Sequence, residues 1–144
     1  VKDLSQGEFE VIIPEVDRIT KKTCKRVVLC SGKIYYELLE ERRQQNIDDI
    51  AIIRIEQLHP FPDIELRKLL RSYGETADIA WCQEEPQNQG AWYQIRHHIE
   101  NCLAPNQKVH YVGRGHSAAP AVGYYKLFLE QQRKLILSAL SLKK

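Results

Sequence analysis

The residue types best suited to chemistry gather in WCQEEPQNQGAW, residues 81–92, which holds both tryptophans, a cysteine and the adjacent carboxylates Glu84 and Glu85. Paired carboxylates do acid/base work only when both face one substrate. Consecutive residues leaving a strand point in opposite directions, so this pair makes a poor dyad. A capped turn accounts for Pro86 as a strand stop, Asn88 as the cap of a following helix, and Gly90. It does not account for two tryptophans and two amides around one turn. Trp81 is expected in the core. Glu84, Glu85, Asn88, Gln89 and Trp92 are expected to form a partner-facing surface; Trp92 is either core or the contact anchor of that surface, since large aromatics are enriched at interface centres.

A second candidate is GRGHSAAPAVG, residues 113–123. Arg114 lies between glycines just past a strand, and Ser117 with Pro120 marks a helix start. Free backbone N–H groups and an arginine there suit a phosphate or carboxylate. Lys33, in the strand-to-helix turn Ser31-Gly32-Lys33, is the second cation of this anion site. An ordinary capped helix with Arg114 paired internally is the alternative. The turn itself lacks the glycine spacing of a phosphate-cradling loop. Histidines 59, 97, 98, 110 and 116 form no H-x-x-x-H pattern, and His97 and His98 point about 100° apart on a helix, so no metal site is expected. No nucleophile–base pair emerges, and no catalytic residue is assigned.

These loops need elements to hold them. RVVLCS (residues 26–31), DIAIIRIE (49–56), DIAWCQE (78–84) and KVHYVG (108–113) read as strands. The continuous apolarity of the second suits a strand covered on both faces. Helical spacing places Ile34, Tyr35, Leu38 and Leu39 on one face, with charges opposite. Further helices are expected after Asp63 as N-cap, over about 89–102, and over about 120–140. The alternation predicts a three-layer α/β/α domain with a mostly parallel sheet. Residues 1–25 read as an arm from a preceding domain whose extended piece, FEVIIPE, adds an edge strand. Residues 26–140 form the domain and residues 141–144 a tail.

The 144 residues suffice for one domain with a real core. Net charge is +2 with no basic stripe interleaved with aromatics, which argues against nucleic acid. No run of about 18 apolar residues suggests a membrane span, and no signal segment opens the sequence. Cys24, Cys30, Cys82 and Cys102 lack C-x-x-C spacing and read as buried free thiols, with the cytoplasm as default location.

Four segments carry a family resemblance: RVVLCSGKIYYELLEERR, AIIRIEQLHPFP, WCQEEPQNQGAWY and GRGHSAAPAVGYYKLFLEQQ. In order and spacing the chain resembles the C-terminal domain of the thiamin-diphosphate-dependent first component of 2-oxoglutarate dehydrogenase, over roughly residues 9–140. The resemblance implies a fold of the transketolase C-terminal type. It implies a longer polypeptide that decarboxylates 2-oxoglutarate on thiamin diphosphate and magnesium in the tricarboxylic acid cycle, then passes the succinyl unit to the lipoyl group of the second component. The family's cofactor signature, GDG followed by NN, is absent here, so no cofactor and no catalysis are expected of this piece alone. Implied partners are the rest of the polypeptide, a second copy, and the succinyltransferase component. A nucleotide or acyl-CoA effector is implied for the Lys33, Arg114 and Ser117 site. The location implied is cytoplasmic, or the mitochondrial matrix in a eukaryote. Gly115, His116 and Ala119 depart from the family's GRP-x-SASPAxG pattern, which leaves Ser117 as the N-cap. An independent α/β anion- or nucleotide-binding domain, and a free-standing enzyme using Glu84 or Glu85, are the competing readings.

Overall fold

The computed structural model describes residues 9–116 and 125–142. Five strands form one mixed sheet: β1 (Ile12–Ile13), β2 (Arg26–Cys30), β3 (Ile50–Ile55), β4 (Asp78–Cys82) and β5 (Val109–Val112), in the order β1-β3-β2-β4-β5. The four long strands run parallel, and β1 pairs antiparallel with the edge of β3 through Ile12↔Ile55 and Ile13↔Arg54. The expected α/β class and the added edge strand are both found.

Helices α1 (Ile34–Gln44), α2 (Asp63–Arg71), α3 (Trp92–Asn101) and α4 (Tyr125–Ala139) cover the sheet. Alternate strand residues feed opposite cores, as the pleat requires. Val27, Leu29, Ile53, Ile79 and Trp81 face Leu66 and Leu70 of α2 and Ile95 and Ile99 of α3. Val28, Cys30, Ile52 and Cys82 face Leu38 of α1 and Leu135 and Ile136 of α4. Burial on both faces explains the continuous apolar runs of β2 and β3. The four cysteines are free and buried, and burial pushes the Cys82 thiol up to about 12.

Two expected caps are corrected. Asp63 is the first residue of α2, whose N-cap position is Pro62, so its carboxylate favours the helix from within the first turn rather than capping it. Asn88 is not the N-cap of α3: the helix starts at Trp92 with Ala91 at its N-cap, because residues 86–91 turn tightly first. The His59–Pro60 peptide at the chain break is cis.

The arm is locked on by charge. Arg42 of α1 is 1% exposed and donates to both oxygens of Glu15, at 2.5 and 2.6 Å, to Asp17 at 2.8 Å and to the Ile50 carbonyl at 3.0 Å. Glu15 also accepts the Ile52 backbone N–H at 2.6 Å. Helical spacing puts Arg42 on the same face as Ile34, Leu38 and Leu39, and the arm's carboxylates neutralise its charge there.

Candidate functional site

Gln83 organises the tryptophan-bounded stretch. It follows the last residue of β4 and is buried. Its side-chain oxygen accepts the Trp81 indole N–H at 2.8 Å and the Trp92 backbone N–H at 3.2 Å. Its side-chain nitrogen donates to the Glu85 and Pro86 carbonyls at 3.1 and 3.0 Å. One amide therefore joins the strand end, the turn and the start of α3. Gly90 makes room for it: a Cβ there would meet the Gln83 amide at 2.4 Å. The sequence reading missed Gln83, whose signal was a lone amide at a strand end between two tryptophans.

Trp92 is corrected as an anchor. It is 5% exposed, lies in the α2–α3 core, and its ring meets Tyr111 at 5.5 Å between centroids. Trp81 is core as expected. Glu85, Asn88 and Gln89 are exposed, whereas Glu84 is half-buried.

The chain leaves β2 towards β3 on one side and reaches β4 on the other, so β2 and β4 flank the topological switch point. In sheets of this kind ligands meet the carboxyl ends of the strands there. Gly32, at φ +79°, turns the chain out of β2 and presents Lys33. Lys33 Nζ lies 3.9 Å from the Glu84 carboxylate. Arg114 comes in from β5 and donates to the Glu84 carbonyl, to Gln132 at 3.0 Å and to Gln131 at 3.2 Å, with its guanidinium 4.7 Å from the Phe128 ring centroid. Gln132 donates onward to Glu84 at 2.9 Å and Glu37 at 2.5 Å. Burial raises the Glu84 carboxyl above its ordinary value, and Lys33 and Gln132 pull it partly back.

Lys33 and Arg114 thus meet through Glu84, and internal pairing describes Arg114. Ser117 lies outside the described residues. An open cleft of about 340 Å³ adjoins Arg114, and the second cation lining it is Lys134, not Lys33. Gln132 was also missed, though a glutamine in register with Leu135 and Ile136 on an apolar face was a usable signal. Among the described residues no group of three or more His, Cys, Asp or Glu gathers as for a metal ion. The residues here do not fit a magnesium diphosphate.

The family model described as 2-oxoglutarate dehydrogenase C-terminal matches residues 1–140. The chain belongs to that family. It is 51% identical over 139 residues to the 2-oxoglutarate dehydrogenase E1 component of Haemophilus influenzae, covering 96% of this chain and 15% of the relative. It is 47% identical over 142 residues to the E1 component of Azotobacter vinelandii, again 96% of this chain and 15% of the relative. An oxoglutarate dehydrogenase of Buchnera aphidicola is 45% identical over 142 residues, 99% of this chain and 16% of its own length. The chain therefore spans about 15% of the length of these curated relatives. As a 2-oxoglutarate dehydrogenase C-terminal domain it contributes a two-sided α/β scaffold with a polar carboxyl end. Among the described residues no helix is long and apolar enough to cross a membrane.

Proposed function

We propose that this chain is the assembly domain of a longer 2-oxoglutarate dehydrogenase polypeptide. The whole polypeptide decarboxylates 2-oxoglutarate on thiamin diphosphate with magnesium, in the cytoplasm or a mitochondrial matrix, as a step of the tricarboxylic acid cycle. It hands the succinyl unit to the lipoyl group of the second component. Thiamin chemistry is assigned to the remaining length; among the described residues no group of His, Cys, Asp or Glu gathers that would hold its magnesium. Residues 1–25 form the arm from the preceding domain, residues 26–140 the domain and residues 141–144 a tail. Glu84, Glu85, Asn88 and Gln89 face the rest of the polypeptide or a second copy, and Trp92 supports that loop from the core. The observation that carries this reading is the match of a chain with its own closed cores to about 15% of relatives named for the activity.

The test is removal of residues 26–140 from the full-length polypeptide. Sedimentation is expected to show loss of the dimer, and 2-oxoglutarate-dependent release of carbon dioxide is expected to fall below a tenth. A truncated polypeptide that stays dimeric and active would sink the reading. A second reading, effector binding, is favoured by the cleft in which Arg114 and Lys134 meet no carboxylate lining. Titration with AMP and acetyl-CoA tests it, with heat that disappears in Arg114→Ala as the expected result and no heat at millimolar ligand against it.

A further inference from the structure

The two edges of the sheet are guarded differently. β1 is two residues long and runs into Pro14, which carries no N–H, so it offers little to an incoming strand. β5 has four residues and no proline, and among the described residues no strand lies on its outer side. Peptide groups alternate in direction along a strand. The Val112 carbonyl accepts the Gln83 N–H at 3.3 Å and so faces β4. The N–H and carbonyl of Tyr111, one residue back, therefore point away from the sheet.

The cleft of about 340 Å³ runs beside this edge. One wall is the chain from Tyr111 to Gly115. The other is Gln131, Lys134, Leu135 and Ser138, which helical spacing sets in a single stripe along α4. From Gln131 to Ser138 that stripe is about 10 Å long, or roughly three residues of extended chain. Its charge is one-sided. Arg114 and Lys134 line the cleft, and no carboxylate among the described residues does. The Arg114 guanidinium hydrogen-bonds neutral oxygens there and carries N–H groups beyond those bonds.

We infer that the outer edge of β5 takes an extended acidic segment of another polypeptide as an added strand, with carboxylates at alternate residues directed to Arg114 and Lys134. Backbone pairing supplies the affinity of such an addition, and side chains supply the choice of partner. The free edge exists whatever covers the rest of the domain, so the inference goes beyond the assembly reading and does not depend on it. Charge decides against a second copy: two β5 edges side by side would bring Arg114 and Lys134 of both copies together. A nucleotide would meet the same cations but leave the Tyr111 peptide groups unused.

The experiment is fluorescence anisotropy of the full-length polypeptide with a labelled heptapeptide in which glutamate and valine alternate. Saturable binding is expected. Lys134 is exposed on α4, so Lys134→Glu spares the core and is expected to weaken binding about tenfold. Two further peptides carry N-methyl groups, one on the glutamate amides and one on the valine amides. An added strand turns one set towards β5 and the other away. One methylated peptide is therefore expected to bind like the parent and the other about tenfold more weakly, through lost backbone hydrogen bonds. Equal binding of both would mean that charge alone is read, and would overturn the inference. So would a parent peptide that fails to bind, a lysine-for-glutamate peptide that binds equally well, or binding indifferent to Lys134→Glu. Binding that emerges only on dilution to monomers would assign the edge to a second copy and overturn it as well.

Discussion

Two polar assemblies lie within this domain, one around Arg42 where the arm crosses α1 and one around Arg114 at the carboxyl end of the sheet, and they neutralise charge by different means. Arg42 meets opposite charges: Glu15 doubly, and Asp17, which Arg43 also holds at 2.8 and 2.9 Å. Among the described residues Arg114 hydrogen-bonds neutral oxygens, a carbonyl and two amides, while the Glu84 carboxylate answers to Lys33 and Gln132. The first arrangement is closed: adding a ligand would break a buried ion pair. The second keeps a charge on uncharged partners beside an open cleft, which suits a face that another surface completes.

The sharpest way to break the comparison is to uncharge the clamp. Glu15→Ala leaves Arg42 buried with Asp17 alone and the Ile52 N–H without its side-chain acceptor. Removing one partner of a buried pair costs about 3–5 kcal/mol, and urea unfolding should show a loss near the lower figure because Asp17 remains. Protease cleavage within residues 9–25 should accelerate in parallel. Unchanged unfolding with faster cleavage would mean the arm is a passenger.

Gln83 comes next in size. Gln83→Leu takes the acceptor from the Trp81 indole N–H and the Trp92 N–H, while the Pro86 and Glu85 carbonyls keep the Gln89 and Gly90 N–H groups and the Tyr111 hydroxyl; about 2 kcal/mol is expected from the buried donors left unpaired. Gly90→Ala pushes on the same amide and should cost about 1 kcal/mol by overpacking. Because both act through one node, the double variant should cost less than their sum. Additive losses in thermal melts would show that Gly90 has another role.

How far the sequence foretold all this follows from the range of the interactions. Strand order along the chain, helix faces and the edge strand depend on patterns within ten or so residues, and residues such as Val28, Ile52 and Leu38 could be placed from those alone. The ion pairs of Arg42 could not: helical spacing lines it up with Ile34 and Leu38 on the inner face, but the carboxylate that neutralises it there, Glu15, lies 27 residues away. Trp92 was misplaced for a related reason. The unusual density of aromatics and amides suggested a partner, yet the partner is Gln83, nine residues back in the same chain. Lys33 and Arg114 were brought to one end by topology, as expected, but spacing did not reveal that Glu84 stands between them.

The smallest effect separates the two assemblies by sign. Asp17 is held down to about 2, chiefly by the hydrogen bond from Arg43 and then by Arg42. Its stabilisation is therefore complete above its ordinary 3.8 and is lost as pH falls towards 2. Glu84 is raised, chiefly by burial, with Glu37 and Glu85 adding to the shift. For such a group the folded state holds its proton more tightly, so the stabilisation exists below the ordinary 4.5 and disappears as pH rises through the folded value. At neutral pH the ionised Glu84 is then a burden on the domain. Calorimetric melts of Asp17→Asn should show a lower Tm than wild type at pH 7, with the difference closing only in strong acid. Glu84→Gln keeps an acceptor for Gln132 and removes the charge, so its Tm should exceed wild type at pH 7 and converge with it below about pH 4. A lower Tm for Glu84→Gln at neutral pH would mean that the Lys33 pairing, with Lys33 79% exposed, outweighs the cost of burial. The carboxyl-end network would then be as closed as the clamp.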